Sequence, residues 1–311
     1  MKRVAFIFPG QGSQKVGMGQ TFLEKDPTNN DLFEHADQIL NFSLSKMIAE
    51  GPDSQLTKTS IAQPALLLVS TMIQQELLRE GIEPSVVAGH SLGEYSALVA
   101  AGALSLDDAL TLVHERGKLM EEADPAGDGS MAAVLGLKKE TISEKLEKVD
   151  HIVDLANLNC PGQIVISGSK LGIEQITLIL KDAGAKRIIP LNVSGPFHSR
   201  LMKPAAESYR DILAEVNFSS LTVPIYSNVT AQKINEHSEI KELLIQQLYS
   251  PVRFEEIIEQ LLQENLDAIV EVGSGKVLSG LVKRVSRRAK VFAVEDQRSF
   301  NKFVDWYQGG E

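Results

Sequence analysis

Cysteine is almost missing from this chain of 311 residues: the single one, Cys160, has no partner for an internal disulfide. A disulfide-stapled scaffold is thereby excluded, and a reducing cytoplasm is the expected compartment. Cys160 lies in Asn159-Cys160-Pro161-Gly162, a turn-like setting that favours an inert thiol. Long apolar runs are missing too. None approaches the roughly 20 residues that cross a bilayer, so a soluble protein with no membrane partner is expected. The opening Val4 to Phe8 reads as a short strand broken by Pro9 rather than as a signal sequence. There is no surplus of positive charge: the net charge of −10 argues against general nucleic-acid binding, although a local basic face remains open. Repeats, low-complexity tracts and long linkers are absent. What the chain does have is length enough for one large domain and a smaller companion.

The hydrophobic pattern predicts a buried strand over Val4–Phe8, an amphipathic helix over Leu66–Leu78, a strand over Ser85–Ala88 and helices over Leu92–Ala101 and Leu106–Ala123. Alternation of this kind suggests an α/β architecture with parallel strands. Turn formers at Asp124-Pro125-Ala126-Gly127-Asp128-Gly129 then break the pattern, and a domain boundary is placed there. Beyond it come strand 131–137, helix 141–149, strands 153–158 and 163–167, helix 173–183 and strand 187–193. That order is the split βαβ arrangement of ferredoxin-like domains. The α/β style returns with helix 204–216, strand 223–227, helix 255–263 and strand 268–272. The fold class expected is α/β: a hydrolase-like parallel-sheet core, residues 1–126 and 196–311, with an inserted ferredoxin-like α+β subdomain, residues 127–195.

The chemistry is carried first by Gly89-His90-Ser91-Leu92-Gly93, which follows the apolar run Pro84 to Ala88 and leads into a helix-like stretch. This is the layout of a nucleophile elbow, in which glycines permit a sharp strand-to-helix turn that raises a serine hydroxyl clear of the sheet. A serine hydroxyl is a weak nucleophile at neutral pH, so Ser91 needs a base within hydrogen-bond reach. Among six histidines, His35, His151 and His237 sit in charged, exposed settings, His114 lies in a helix, and His90 should point away from its neighbour. His198 remains, in a loop after an apolar strand, as either the base or a structural histidine. The low-bulk loop Gly10-Gln11-Gly12-Ser13 lacks the third glycine of a dinucleotide fingerprint and the Gly-Lys-Ser/Thr of a phosphate loop. Donation of its backbone N–H to an oxyanion, with that of Leu92, suits it better.

With Gly10-Gln11-Gly12, Gly89-His90-Ser91-Leu92-Gly93-Glu94, Arg116-Gly117 and Pro196-Phe197-His198-Ser199 in order, the chain resembles the malonyl-CoA:acyl carrier protein transacylases. Gln63-Pro64-Ala65, Ser227-Asn228-Val229-Thr230, Gln247-Leu248-Tyr249-Ser250-Pro251-Val252 and Glu271-Val272-Gly273-Ser274-Gly275 extend the likeness nearly end to end. The resemblance implies Ser91 as acylated nucleophile, His198 as general base and the N–H groups of Gln11 and Leu92 as oxyanion hole. It makes Arg116 the holder of the malonyl carboxylate and the Gln247 carbonyl the group that orients the histidine in place of an acid. His90, Gln63 and Asn159 would line or support the site. Phe197 would crowd the α-methyl branch of methylmalonyl. The implied substrate is malonyl-CoA, the partner an acyl carrier protein, with no tightly bound cofactor, no metal and no nucleic acid. Judged without the resemblance, Arg116 reads rather as an ordinary helix-surface ion pair near Glu115, Glu121 and Glu122.

Carrier proteins of this kind are typically acidic. In the stretch from Lys276 to Lys290, Leu278, Leu281, Val282 and Val285 form a stripe at helical spacing, with Lys283, Arg284, Arg287 and Arg288 opposite it. That basic face is either a docking surface or merely solvated. The rival readings are an esterase or thioesterase that sends the acyl group to water, a scaffold domain with a decayed site, and a module of a larger synthase. The initial methionine and the stop soon after Trp306-Tyr307 suit a free-standing enzyme.

Overall fold

The computed structural model describes residues 2–124 and 126–310. Among the described residues there are eight strands: β1 (Val4–Phe8), β2 (Val86–Gly89), β3 (Gly129–Leu135), β4 (Val153–Cys160), β5 (Gln163–Ser169), β6 (Arg187–Pro190), β7 (Ala268–Val272) and β8 (Val291–Val294). Helices α1–α4 (Gln20–Lys25, Asn29–Leu40, Leu44–Glu50, Asp53–Leu56) precede the long α5 (Thr59–Arg79), α6 (Gly93–Ala100) and α7 (Leu106–Glu122). Then follow α8 (Lys139–Leu146), α9 (Lys170–Asp182), α10 (Lys203–Ala214), α11 (Ile240–Gln247), α12 (Phe254–Gln263), α13 (Val277–Val285) and α14 (Gln297–Tyr307).

Two sheets organise these elements. The first is wholly parallel, in the order β2-β1-β7-β8. Its inner strands β1 and β7 are buried at every position, as expected where helices cover both faces. The second is antiparallel, in the order β4-β5-β3-β6, and with α8 and α9 it makes the β-α-β-β-α-β unit foreseen. The architecture is thus α/β with a ferredoxin-like insertion. Among the described residues no helix is long and apolar enough to cross a membrane.

Three expectations need correcting. The helix expected from Leu66 begins at Thr59 and is buried nearly all round over its first sixteen residues rather than amphipathic. Pro64 inside it cannot donate to the Ser60 carbonyl one turn back, and His114 Nδ1 donates to that carbonyl instead, at 2.8 Å. The strand expected over 223–227 is reduced to isolated bridges, Ile225 to Val87 and Tyr226 to Lys233, with Pro224 offering only a carbonyl, to the Val87 N–H at 2.8 Å. The strand expected to reach Val193 ends at Pro190. Of the boundary segment, Pro125 lies outside the described residues; Asp124 holds its far side by accepting from the N–H groups of Asp128 and Gly129 at 2.9 and 2.8 Å.

Strand β4 ties the insertion to the rest. Its pairing with β5 slips between Leu155 and Asn157 and again between Leu158 and Cys160, leaving bulges at Ala156 and Asn159. Beside the first bulge, the Ala156 carbonyl and the Leu158 N–H bond Val252 at 2.9 and 2.8 Å. The second re-aims Asn159, a recurrent use of bulges.

Candidate active site

The elbow is built by close packing. A Cβ on Gly89 would fall 1.9 Å from the Gly93 carbonyl carbon, and one on Gly93 would fall 2.0 Å from the Phe8 carbonyl oxygen. Neither glycine adopts a left-handed conformation; Ser91 does, with φ of 53°. The glycines are therefore required for contact, and the strain sits on the serine itself, where such turns store it. Asn228 holds the turn from the side: its Oδ1 accepts from the Ser91 N–H and its Nδ2 donates to the Gly89 carbonyl, both at 2.7 Å.

His198, 107 residues further on, also has a positive φ of 59°. Its N–H donates to the Leu248 carbonyl at 3.0 Å and its Nδ1 to the Gln247 carbonyl at 2.8 Å. With the proton on Nδ1, Nε2 is left as an acceptor 2.8 Å from Ser91 Oγ. Burial first, then the Arg116 charge, lower the imidazole to about 3, so it stands as free base at neutral pH.

Arg116 is 1% exposed and not paired with Glu115, which binds Lys118 at 2.7 Å, or with Glu121, which accepts from Ser60 Oγ at 2.9 Å. The surface ion-pair reading therefore does not describe it. A Cβ on Gly117 would meet Ser60 Cα at 2.5 Å, so the missing side chain lets α7 press against α5 and carries Arg116 inward. Its Nη1 donates to Gln63 Oε1 and its Nη2 to Gln247 Oε1, both at 2.8 Å, while Nη2 also reaches Ser91 Oγ at 3.2 Å. The Tyr95 ring lies 5.5 Å from the guanidinium. Nε, which shares one edge of the fork with Nη2, is buried and has no hydrogen-bond partner among the described residues. A guanidinium held by amide oxygens, with Nη2 reaching the serine, has the fork of donors that suits a carboxylate.

Beside these groups opens a cleft of about 290 Å³ lined by Gln11, His90, Ser91, Phe197 and His198, and also by Met131, Asn157 and Val193. Among the described residues, no protein acceptor takes the backbone N–H of Gln11 or Leu92. Gln11 is held by its Nε2, which donates to Thr59 Oγ1 at 3.1 Å. His90 turns from the serine and meets Asn159 Oδ1 through Nε2 at 2.8 Å; Asn159 thus supports His90, and Gln63 supports Arg116.

Two participants were not foreseen. Asn228 lay in a quoted motif without a role, and nothing in its neighbours points to the turn it braces. Glu94, in the first turn of α6, likewise stood in the quoted elbow motif without a role. It is 1% exposed, and its carboxylate accepts from Gln247 Nε2 at 2.5 Å and the Asn228 N–H at 3.2 Å. The basic stretch is also altered. Helix α13 ends at Val285, so Arg287 and Arg288 stand exposed in the following turn rather than on its polar face.

Known proteins resemble the chain in both sequence and fold. Residues 5–297 match the acyl transferase domain family. The malonyl CoA-acyl carrier protein transacylase of Bacillus subtilis (strain 168) is 53% identical over 95% of this chain and 94% of its own length. A solved acyl carrier protein S-malonyltransferase from Vibrio cholerae superposes with a TM-score of 0.94 at 42% identity, covering 97% of this chain and 99% of that one. A malonyl-transacylase solved in complex with a type II PKS acyl-carrier protein gives 0.95 at 40% identity, with the same coverages. By sequence along nearly its whole length and by fold, the chain belongs to the acyl transferase family and, within it, to the malonyl CoA-acyl carrier protein transacylases.

Proposed function

We propose that this chain moves the malonyl group of malonyl-CoA to the phosphopantetheine thiol of an acyl carrier protein through an ester on Ser91, supplying fatty-acid-type elongation in the cytoplasm. One observation carries the reading: the same serine hydroxyl lies 2.8 Å from a free-base imidazole and 3.2 Å from a buried guanidinium. Nucleophile, base and carboxylate receptor are thus gathered around one oxygen.

As Ser91 Oγ attacks the thioester carbonyl, its proton passes to His198 Nε2, and the new imidazolium is stabilised by the Gln247 carbonyl on Nδ1. The oxyanion forms toward the Gln11 and Leu92 N–H groups. Collapse breaks the C–S bond, and His198 returns the proton to the departing CoA thiolate. The carrier thiol then attacks the ester by the same steps reversed, giving ping-pong kinetics. All these roles fall to side chains and amides of the chain, which needs no tightly bound cofactor for them. Arg116 receives the malonyl carboxylate along its Nε and Nη2 edge, and Phe197, buried at the cleft wall, disfavours an α-methyl branch. The reading divides the chain into a large domain of residues 1–126 and 196–311 and an inserted one of residues 127–195; the antiparallel sheet, 129–190, falls wholly inside the latter.

The test is to incubate the protein with malonyl-, acetyl- and methylmalonyl-CoA, with and without carrier protein, and weigh every species. A malonyl adduct that passes to the carrier is expected; malonate released to water with the carrier left unloaded would make the chain a thioesterase. A second expectation concerns docking. Helix α13 runs between the 10–14 loop, which Ser274 Oγ joins at the Ser13 carbonyl at 2.7 Å, and Gln163 of β5, which Arg284 contacts. Changing the exposed Arg287 and Arg288 to glutamate is expected to raise the KM for carrier protein about five- to tenfold and leave that for malonyl-CoA unchanged. Steady-state kinetics with each substrate varied in turn decide it, and an unchanged carrier KM removes docking from this face.

A further inference from the structure

The buried carboxylate of Glu94 has no step in the mechanism above, yet it sits where three of its groups converge. Gln247 is their meeting point. Its carbonyl accepts from His198 Nδ1, its Oε1 from Arg116 Nη2, and its Nε2 donates both to Glu94 Oε2 at 2.5 Å and to the Ser91 carbonyl at 3.1 Å. A carboxamide has one accepting end and one donating end, so which end faces the arginine depends on what stands at the other. Glu94 also accepts from the Asn228 N–H at 3.2 Å, and Asn228 is the residue that braces the Ser91 turn.

We propose that Glu94 is a positioning residue for malonyl selectivity: by accepting from Gln247 Nε2 it locks the amide with its oxygen toward Arg116, keeping the guanidinium fork aimed at the carboxylate beside Ser91. The inference rests on the malonyl-transfer reading. With the amide reversed, its NH₂ would meet the Arg116 donors and its oxygen would meet the Ser91 carbonyl, two mismatches in a dry site. An ionised carboxylate forbids that reversal because it can only accept. A glutamine at position 94 would not. If its oxygen kept the Asn228 N–H, its NH₂ would face Gln247 and favour the reversed amide. The link is indirect, since Glu94 makes no hydrogen bond with Arg116 or His198. Burial raises its carboxyl to about 7, against the opposing pull of Gln247, Asn228 and Arg116, so the accept-only form that holds the amide is complete only above that pH, and the ratio below is read at pH 8.

The test is Glu94→Gln, close to isosteric, assayed beside the wild type for acylation of Ser91 by malonyl-CoA and acetyl-CoA in single turnovers, with the melting temperature recorded. The expected result is a fall of about 10- to 100-fold in the malonyl-to-acetyl ratio of kcat/KM, with acetyl acylation changed by less than about threefold. A merely structural role would lower the melting temperature and leave that ratio unmoved, and an unmoved ratio in folded Glu94→Gln overturns the proposal. Should that variant not fold, Glu94→Ala, which removes the acceptor altogether, is read by the same ratio: a fall supports the proposal and no change overturns it. The wild-type arm separates the two claims, because a wild type that takes no malonyl refutes the malonyl-transfer reading itself.

Discussion

Ser91→Ala is expected to form no malonyl-enzyme and to lose transfer to the carrier by about 10⁴- to 10⁶-fold, the range seen when the nucleophile of a serine hydrolase unit is removed. The cause is the missing oxygen and not a damaged fold. The turn is held by Asn228 through the backbone of residues 89 and 91, and the side chain of Ser91 takes no part in that bracing. His198→Ala is expected to fall nearly as far, by about 10³- to 10⁴-fold, since an unassisted hydroxyl is almost wholly protonated at neutral pH. Because the two side chains act as a unit, the double variant should be little worse than Ser91→Ala alone. Intact-mass measurement after mixing with malonyl-CoA gives the result directly. A covalent malonyl adduct on Ser91→Ala would place the nucleophile elsewhere.

The same histidine makes a prediction about stability. Its folded-state pKa is depressed from 6.5 to about 3, mainly by burial and then by Arg116. In the window between those values the unfolded chain takes up a proton that the folded chain refuses. The stability that His198 contributes is therefore complete above pH 6.5 and is lost as the pH falls toward 3, at no more than about 1.4 kcal/mol per pH unit. Glu94 works in the opposite direction, raised from 4.5 to about 7, so what it contributes is lost as the pH rises through that interval. Comparing wild type with His198→Ala cancels the Glu94 effect, provided its environment is kept. Between pH 6.5 and 4 the melting temperature of the wild type should drop relative to that of His198→Ala; parallel curves would show that the imidazole titrates normally.

How much of this was legible beforehand differs from element to element for physical reasons. The strands β1 and β7 were placed residue for residue because short apolar runs between polar turns admit few alternatives. Helix α5 lost its first turns because a helix buried all round carries no periodicity, and Pro64 conceals its start. Helices α1, α3 and α4, short and weakly patterned, gave no reading, and of α2 only a charged helix around His35 was read. In the site, the elbow announced Ser91 because two glycines are needed where backbones touch. His198 stood out by elimination among six histidines, and Arg116 only through the resemblance, since a lone arginine on a helix with acidic neighbours looks like a surface residue. Glu94 and the Gln247 side chain act through one another across 153 positions, and no local pattern encodes such a contact.

Arg116→Ala is expected to reverse the order of substrates. A malonyl carboxylate entering a closed cleft gives up hydration worth several kcal/mol, and two charge-assisted hydrogen bonds from one edge of the guanidinium offset that loss. Acetyl brings no carboxylate and gains nothing from the fork, so a site built around such a partner discriminates by orders of magnitude. Removing the fork should lower kcat/KM for malonyl-CoA by about 10²- to 10⁴-fold while acetyl-CoA changes by less than about tenfold. The variant also strips donors from Gln63 Oε1 and Gln247 Oε1 and leaves Glu94 without its nearest cation, so some stability is lost as well. Acetylation of Ser91 in the same preparation reports whether the elbow and His198 survive. Arg116→Lys sharpens the argument: it keeps the charge but presents a point donor where a planar fork stood, and should recover only part of the malonyl preference. If Arg116→Ala acetylates normally and still prefers malonyl, the carboxylate is held by another group, and the 3.2 Å contact between Arg116 and Ser91 does not explain selectivity.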